Sequence, residues 1–107
     1  MAESGMVVFT DYAGRAVRLT DERQAHILEH PEMAGQTARI AETLARPETV
    51  VATTVDESVC VYGRFYEQTP VTSKHLQVAV KLSSTDACVL TAFYSRRPKK
   101  GVLVWRA

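Results

Sequence analysis

Long apolar runs are missing from this sequence of 107 residues. A membrane-spanning helix needs about 20 consecutive apolar residues, and no stretch reaches that length. A charged-then-apolar leader with a cleavage site is missing as well. We therefore expect a cytoplasmic protein without membrane contact.

Cysteine is scarce, because only Cys60 and Cys88 occur and both lie in apolar stretches. The sequence has no Cys-x-x-Cys pair and no Cys/His zinc pattern. Thiols stay reduced in a reducing compartment. We therefore expect two buried thiols rather than a disulfide, and no cofactor.

Neither sign of charge dominates, since 13 Lys and Arg face 12 Asp and Glu for a net charge of +1. The distribution is uneven. Residues 1–53 hold five Arg against eight acids, and residues 54–107 hold eight Lys and Arg against four acids. A basic half can attract phosphate although the whole chain is near neutral. The alternative is an ordinary solvated surface with uneven charge.

The length and the 46% hydrophobic content predict one compact domain. Two β-rich runs, 6–10 and 15–19, are separated by four residues and predict a hairpin. Thr20 is a suitable N-cap for a first helix, which should end near His30 because Pro31 restricts the residue before it. A second helix, opened by Pro31 and closed by Pro47, is predicted from apolar spacing. Its buried stripe should comprise Met33, Thr37, Ile40, Ala41 and Leu44.

From residue 49 onward the sequence is typical of β structure. Five runs predict strands: TVVATTV, SVCVYGRFY, HLQVAVKLS, ACVLTAFYS and GVLVWR. Connections of a few residues favour antiparallel pairing of consecutive strands. The predicted fold class is α+β, with a hairpin and two helices packed on a curved antiparallel sheet of four to five strands.

A histidine pair stands out in HILEHPEM, residues 26–33, where His26 and His30 form an H-x-x-E-H pattern. Side chains four apart share a helix face and can hold zinc, but catalytic zinc normally needs a third protein ligand and an open position. A structural reading has one histidine capping the helix C-terminus and the other half-buried. The third reading is acid–base or phosphate-binding chemistry near pH 7.

A second concentration of functional side chains is YSRRPKK, residues 94–100. It places four cations beside Tyr94, and Pro98 with Gly101 predicts a tight turn between two strands. Lys and Arg neutralise phosphate, and Arg can form two parallel hydrogen bonds with it. The alternative is an ordinary solvated hairpin tip.

The order of RLTDERQAHILEHPEM, IAETLARPETV, LQVAVKL, VLTAFYSRRPKKG and VLVW resembles the phage-associated branch of the barnase–EndoU–colicin–RelE (BECR) nuclease superfamily. The resemblance covers about residues 18–106, which leaves residues 1–17 as an N-terminal hairpin extension. It implies helices on a four-stranded antiparallel sheet and metal-independent RNA cleavage, or an ancestry in it. A toxin-like role and an antitoxin or immunity protein as partner belong to the same expectation.

Cleavage of RNA by its own 2′-hydroxyl needs a base, an acid and cations around the phosphorane. His26 or His30 would supply the imidazole; the alternative for His30 and Glu32 is a structural role at the helix junction. Lys81 and Thr91, expected on one face, would complete the catalytic set. Tyr94, Tyr62 or Tyr66 would stack a base, unless they belong to the core. The RNA backbone would be bound by Arg96, Arg97, Lys99 and Lys100. The alternative is an RNA- or protein-binding module without catalysis.

Overall fold

The computed structural model describes residues 6–72 and 74–107. Its strands are β1 (Met6–Thr10), β2 (Ala16–Thr20), β3 (Thr49–Ala52), β4 (Val59–Phe65), β5 (His75–Leu82), β6 (Ala87–Ser95) and β7 (Val102–Arg106). Its helices are α1 (Asp21–Ile27) and α2 (Thr37–Ala45), with a 3₁₀ turn, Pro31–Met33, between them. No helix in these described residues is long and apolar enough to cross a bilayer.

The strands form one sheet in the order β1-β2-β6-β5-β4-β3-β7. The α+β class is confirmed, but the predicted sheet of four to five strands is too small. The N-terminal hairpin joins the sheet because β2 pairs with β6 in parallel, through Arg18 and Cys88. The proposed boundary at residues 17 and 18 therefore falls inside β2, and residues 1–5 of the expected extension lie outside the described residues.

Both helices cover the same face of the sheet. Thr20 caps α1 as predicted, since its Oγ1 accepts a hydrogen bond from the Arg23 amide at 3.2 Å. The helix ends at Ile27 rather than at His30. The amides of Glu29 and His30 donate to the carbonyl oxygens three residues back instead of four, as in a 3₁₀ turn. The second helix begins at Thr37 rather than at Pro31, because Gly35 has a φ of +75° that no α-helix contains.

The main core lies between the helices and the sheet. Ile27 of α1, and Ile40 and Leu44 of α2, pack on apolar side chains from all seven strands. A second, smaller cluster lies on the other face and contains no helical residue. It consists of Val51, Val61 and Ala79, each less than a tenth exposed.

The connection from β6 to β7 explains why that second cluster is buried. These two strands are parallel and separated by β5, β4 and β3, so residues 96–101 must cross three strands. We call residues 96–101 the strap, and the face of the sheet opposite the helices the strap face. The tight β6–β7 turn predicted from Pro98 and Gly101 is therefore wrong.

Two contacts place the strap on this face. The Gln77 amide nitrogen, Nε2, donates to the Arg97 carbonyl oxygen at 3.4 Å, and Gln77 is 2% exposed. At the other end, a Cβ on Gly101 would clash with the carbonyl oxygen of Ala52. Only glycine permits this approach of the strap to β3.

The reach of the strap leaves no room for a helix. Four strand spacings of about 4.8 Å sum to roughly 19 Å before any displacement along the strands is added. Seven extended Cα steps reach only about 23–25 Å. A parallel crossover usually takes a dozen residues or more, so this short connection must remain nearly fully extended.

A buried carboxylate ties the hairpin to the rest of the sheet. Asp11, at the β1–β2 turn, is 4% exposed and accepts the Tyr62 hydroxyl proton at 2.7 Å. Its other oxygen accepts the amides of Ala13 and Arg15 at 3.0 and 2.9 Å. Burial is the main cause that raises the pKa of the Tyr62 phenol, which keeps this donor protonated.

We expect Tyr62→Phe to lower the free energy of unfolding by about 1–3 kcal/mol, because it removes a donor from a buried carboxylate. Tyr12→Phe is the control: Tyr12 stacks on Trp105 with ring centroids 4.6 Å apart, and its hydroxyl makes no hydrogen bond in the described structure. Urea unfolding monitored by circular dichroism measures both. Equal stability of the two variants would contradict the role given to Asp11.

Candidate nucleic-acid interface

The strap carries a concentration of positive charge that no acid neutralises. Arg96, Arg97, Lys99 and Lys100 are all exposed. The seven ion pairs formed by the described residues include none of them. The sequence from 87 to 107 contains no Asp or Glu and adds a fifth cation, Arg106. This part of the molecule is therefore strongly attractive to polyanions.

Hydrogen bonds fix the start of the strap on the sheet. The Ser95 hydroxyl donates to the Arg97 carbonyl oxygen at 2.6 Å and accepts from Gln77 Nε2 at 3.3 Å. Gln77 itself fits because its neighbour across the strands is Gly63, where a Cβ would come within 3.1 Å of the Gln77 amide oxygen. The backbone that carries Arg96 and Arg97 is thus held in place, while their side chains remain free.

A pair of aromatic rings, the exposed Phe65 and the half-buried His75, lies beside the start of the strap. Phe65 and His75 are partners across β4 and β5, and their ring centroids are 5.4 Å apart in an edge-on arrangement. Phe65 is 41% exposed. His75 pairs in turn with Ser95, the residue before the strap. Accessible aromatic rings next to cations are the elements with which proteins bind single-stranded nucleic acid.

Lys81 and Thr91 lie on the strap face, as predicted from strand alternation. Lys81 stands opposite Cys88, and Thr91 opposite Ala79. The charge of Lys81 is already matched, because its ammonium group lies 2.9 Å from the Asp56 carboxylate. The pKa of Asp56 is lowered to about 2 by three hydrogen bonds to its carboxylate. They come from the Ser58 hydroxyl, Lys81 and the Ser58 amide.

The two histidines lie in the helix layer, on the other side of the sheet. His26 belongs to α1 and is exposed, with Nδ1 3.7 Å from a carboxylate oxygen of Glu29. His30 follows the end of α1, precedes the 3₁₀ turn, and is also exposed. The structural alternative, in which one histidine is half-buried, is therefore wrong, and so is the helical i, i+4 pair, because His30 is not in the helix.

Tyr94 was predicted to contact RNA, and this prediction is wrong. It is 8% exposed and faces the helices, where its hydroxyl donates to the Gln36 side chain at 2.5 Å. Tyr62 is buried, and Tyr66 is held under Arg39 with the guanidinium 4.4 Å from its ring centroid. Tyr94 faces the core because it stands opposite Leu76 in the regular part of the β5–β6 pairing, and Leu76 is fully buried.

The described residues provide no third ligand for a zinc site at His26 and His30. No group of three His, Cys, Asp or Glu side chains within residues 6–72 and 74–107 is arranged to hold a metal ion. Cys60 and Cys88 are free thiols on strands separated by β5, Cys60 in the main core and Cys88 facing the strap side.

Sequence reasoning missed Phe65, His75 and Gln77. The alternation in HLQVAVKLS already placed Gln77 on the face opposite Leu76 and Val78. The alternation predicts a polar residue inside a strand. It does not predict that the strap covers this residue. Phe65 and His75 become neighbours only through the register of β4 and β5.

No protein-family model, curated protein or solved structure matches this chain. The resemblance to BECR nucleases therefore stays a prediction.

We expect Lys81→Met to raise the pKa of Asp56 towards its ordinary value, although the Ser58 bonds keep part of the shift. A lowered carboxyl pKa stabilises the fold above the unfolded value of 3.8, and this contribution is lost as the pH falls towards about 2. A ¹³C NMR titration of the Asp56 carboxyl measures the change. Lys74→Met, which removes the partner of Glu67 instead, should leave it unaltered; an unaltered Asp56 pKa in Lys81→Met would contradict the pairing.

Proposed function

We propose that this protein binds single-stranded RNA on the strap face without cleaving it through His26 or His30. The observation that carries this proposal is the row of four strap cations, which form no ion pair with the described residues, beside the Phe65–His75 ring pair. Polyanion binding by Lys and Arg releases counterions and depends steeply on salt. The RNA backbone follows the strap, and one base stacks on Phe65.

Single strands fit this surface better than duplexes. Bases stack on protein rings only when they are unpaired, and RNA-binding proteins use this to select loops and single strands. Phe65 lies at the end of β4, where its ring is accessible. The strap is only six residues long and has no helix or ribbon that would enter a duplex groove.

Geometry argues against the expected catalytic set. RNA cleavage by the 2′-hydroxyl requires an imidazole and cations at one phosphate, and the sheet separates His26 and His30 from the strap. His75 does share the strap face, but Lys81 lies six residues farther along β5, at about 20 Å. A binding surface needs no such convergence, so binding is the function that the structure supports best.

We expect a fluorescent single-stranded RNA of about 12 nucleotides to bind in EDTA, with log Kd rising linearly with log salt. Lys99→Gln/Lys100→Gln should lower the magnitude of that slope by about 1.4, the value for two lost phosphate contacts on a single strand. The control Arg23→Gln/Arg46→Gln removes the same charge from the helix layer and should leave the slope unchanged. Equal losses in both variants, or binding without salt dependence, would refute a specific role for the strap.

Phe65→Ala should weaken single-strand binding by about 1–3 kcal/mol per stacked base while leaving the salt slope intact. Leu28→Ala is the matched control, since Leu28 is 46% exposed on the helix layer. Fluorescence anisotropy on single-stranded and duplex RNA of one sequence measures both effects. The stacking role fails if Phe65→Ala binds as the parent does, or if duplex is preferred.

The same RNA, incubated with the protein in EDTA and separated on a denaturing gel, tests cleavage. We expect it to remain intact. Cleavage that is lost in His26→Ala but retained in Arg23→Gln would replace the binding proposal with the ribonuclease expected from the sequence.

A further inference from the structure

We propose that a cavity at the opposite end of the strap face binds a small amphiphilic anion, a molecule with an apolar body and one carboxylate or phosphate group. The cavity has a volume of about 590 Å³, within the range of small-molecule sites. It lies between the β1–β2 hairpin and the turn that joins β5 to β6. We call it the hairpin pocket. Its location separates it from the strap, so it does not depend on the proposed RNA binding.

Two ion-paired side chains hold the walls of the hairpin pocket together. Arg18 of β2 donates through Nε and one terminal nitrogen to both oxygens of Asp86, at 3.0 and 2.5 Å. This paired geometry joins the hairpin to the 83–86 turn more firmly than a single contact would. The hydrogen bond and charge of Asp86 raise the pKa of Arg18, and those of Arg18 lower the pKa of Asp86. These two hydrogen bonds link the hairpin wall of the pocket to the wall formed by the 83–86 turn.

The floor of the pocket is apolar and exposed. Met6 and Val8 of β1 are 52% and 55% exposed, and Ala16 and Ala87 line the space beside them. Both large side chains point to the face opposite Phe9, which is buried under the helices. Clustered exposed apolar side chains rimmed by polar groups are typical of a binding site.

Polar groups at the rim have unused hydrogen-bonding capacity. The Arg15 side chain contacts Asp11 only through Nε, at 3.4 Å, and is 40% exposed. Within the described part of the chain, its two terminal nitrogens have no partner, and neither have the hydroxyls of Ser84 and Thr85. Guanidinium groups bind carboxylate and phosphate through paired hydrogen bonds.

The free donors at the rim, rather than an excess of charge, favour a small anion as the ligand. Asp86 is matched by Arg18, and the buried Asp11 carboxylate, which accepts from Tyr62 and two amides, is ion-paired with Nε of Arg15. The two terminal nitrogens of Arg15 are thus left to donate hydrogen bonds to an anion beside an apolar surface. An aliphatic carboxylate and a mononucleotide both meet this description, with the chain or the base lying on Met6 and Val8.

We expect decanoate or adenosine monophosphate to shift the amide NMR signals of Met6, Val8, Arg15, Ser84 and Thr85 in a saturable titration. Which of the two binds identifies the source of the anion. Arg15→Gln should weaken binding by about tenfold or more, the effect of losing a charged hydrogen-bonding partner. Met6→Gln, which alters the floor without touching Arg15, should also weaken it.

Two controls separate the hairpin pocket from the strap. Lys99→Gln/Lys100→Gln and Arg23→Gln should leave ligand binding unchanged. If the protein binds decanoate or adenosine monophosphate but not RNA, only the proposal for the strap is refuted. The pocket proposal is overturned if neither ligand shifts these signals, if Arg15→Gln and Met6→Gln both bind as the parent does, or if inorganic phosphate alone binds as tightly.

Discussion

The six-residue crossing of the strap is the constraint on which the arrangement of this molecule depends. Because β6 and β7 are parallel and lie four positions apart in the sheet, the chain must return across β5, β4 and β3 in a nearly extended form. This passage covers Val51, Val61 and Ala79, which have no helix above them. It also holds the basic side chains of the strap over a sheet face instead of at a flexible hairpin tip. Packing and positive charge are therefore provided by the same six residues.

The sheet divides the functional side chains into two groups. Its helix side buries Tyr62 and Tyr94 and carries the exposed His26 and His30 at the outer surface. The strap side carries the cations, the Phe65–His75 pair and, at its far end, the hairpin pocket. This division disfavours a mechanism in which an imidazole and several cations must contact one phosphate. It is compatible with binding by charge and stacking, because such binding needs only an extended surface.

Local features of the fold were predictable, and long-range ones were not. Thr20 was identified as an N-cap because capping depends on neighbouring residues, and strand alternation placed Lys81 and Thr91 on one face. The pairing of β7 with β3 is a long-range contact that no local pattern predicts. The short connection before β7 suggested instead that β7 pairs with β6, the strand that precedes it in the chain. Tyr94 was misassigned because it adjoins the cations in sequence, whereas its pairing with the buried Leu76 turns it to the helix side. The nearness of Phe65 and His75 arises from register, which no single segment reveals.

The central claim is that RNA lies along the strap and away from His26 and His30. A single-stranded RNA carrying a terminal spin label, added to ¹⁵N-labelled protein, tests it most directly, because the label broadens the amide signals of residues near the bound strand. The account predicts broadening at Arg97, Lys99, Lys100 and Phe65, with sharp signals at His26 and His30. Broadening centred on His26 and His30, with unchanged strap signals, would contradict it.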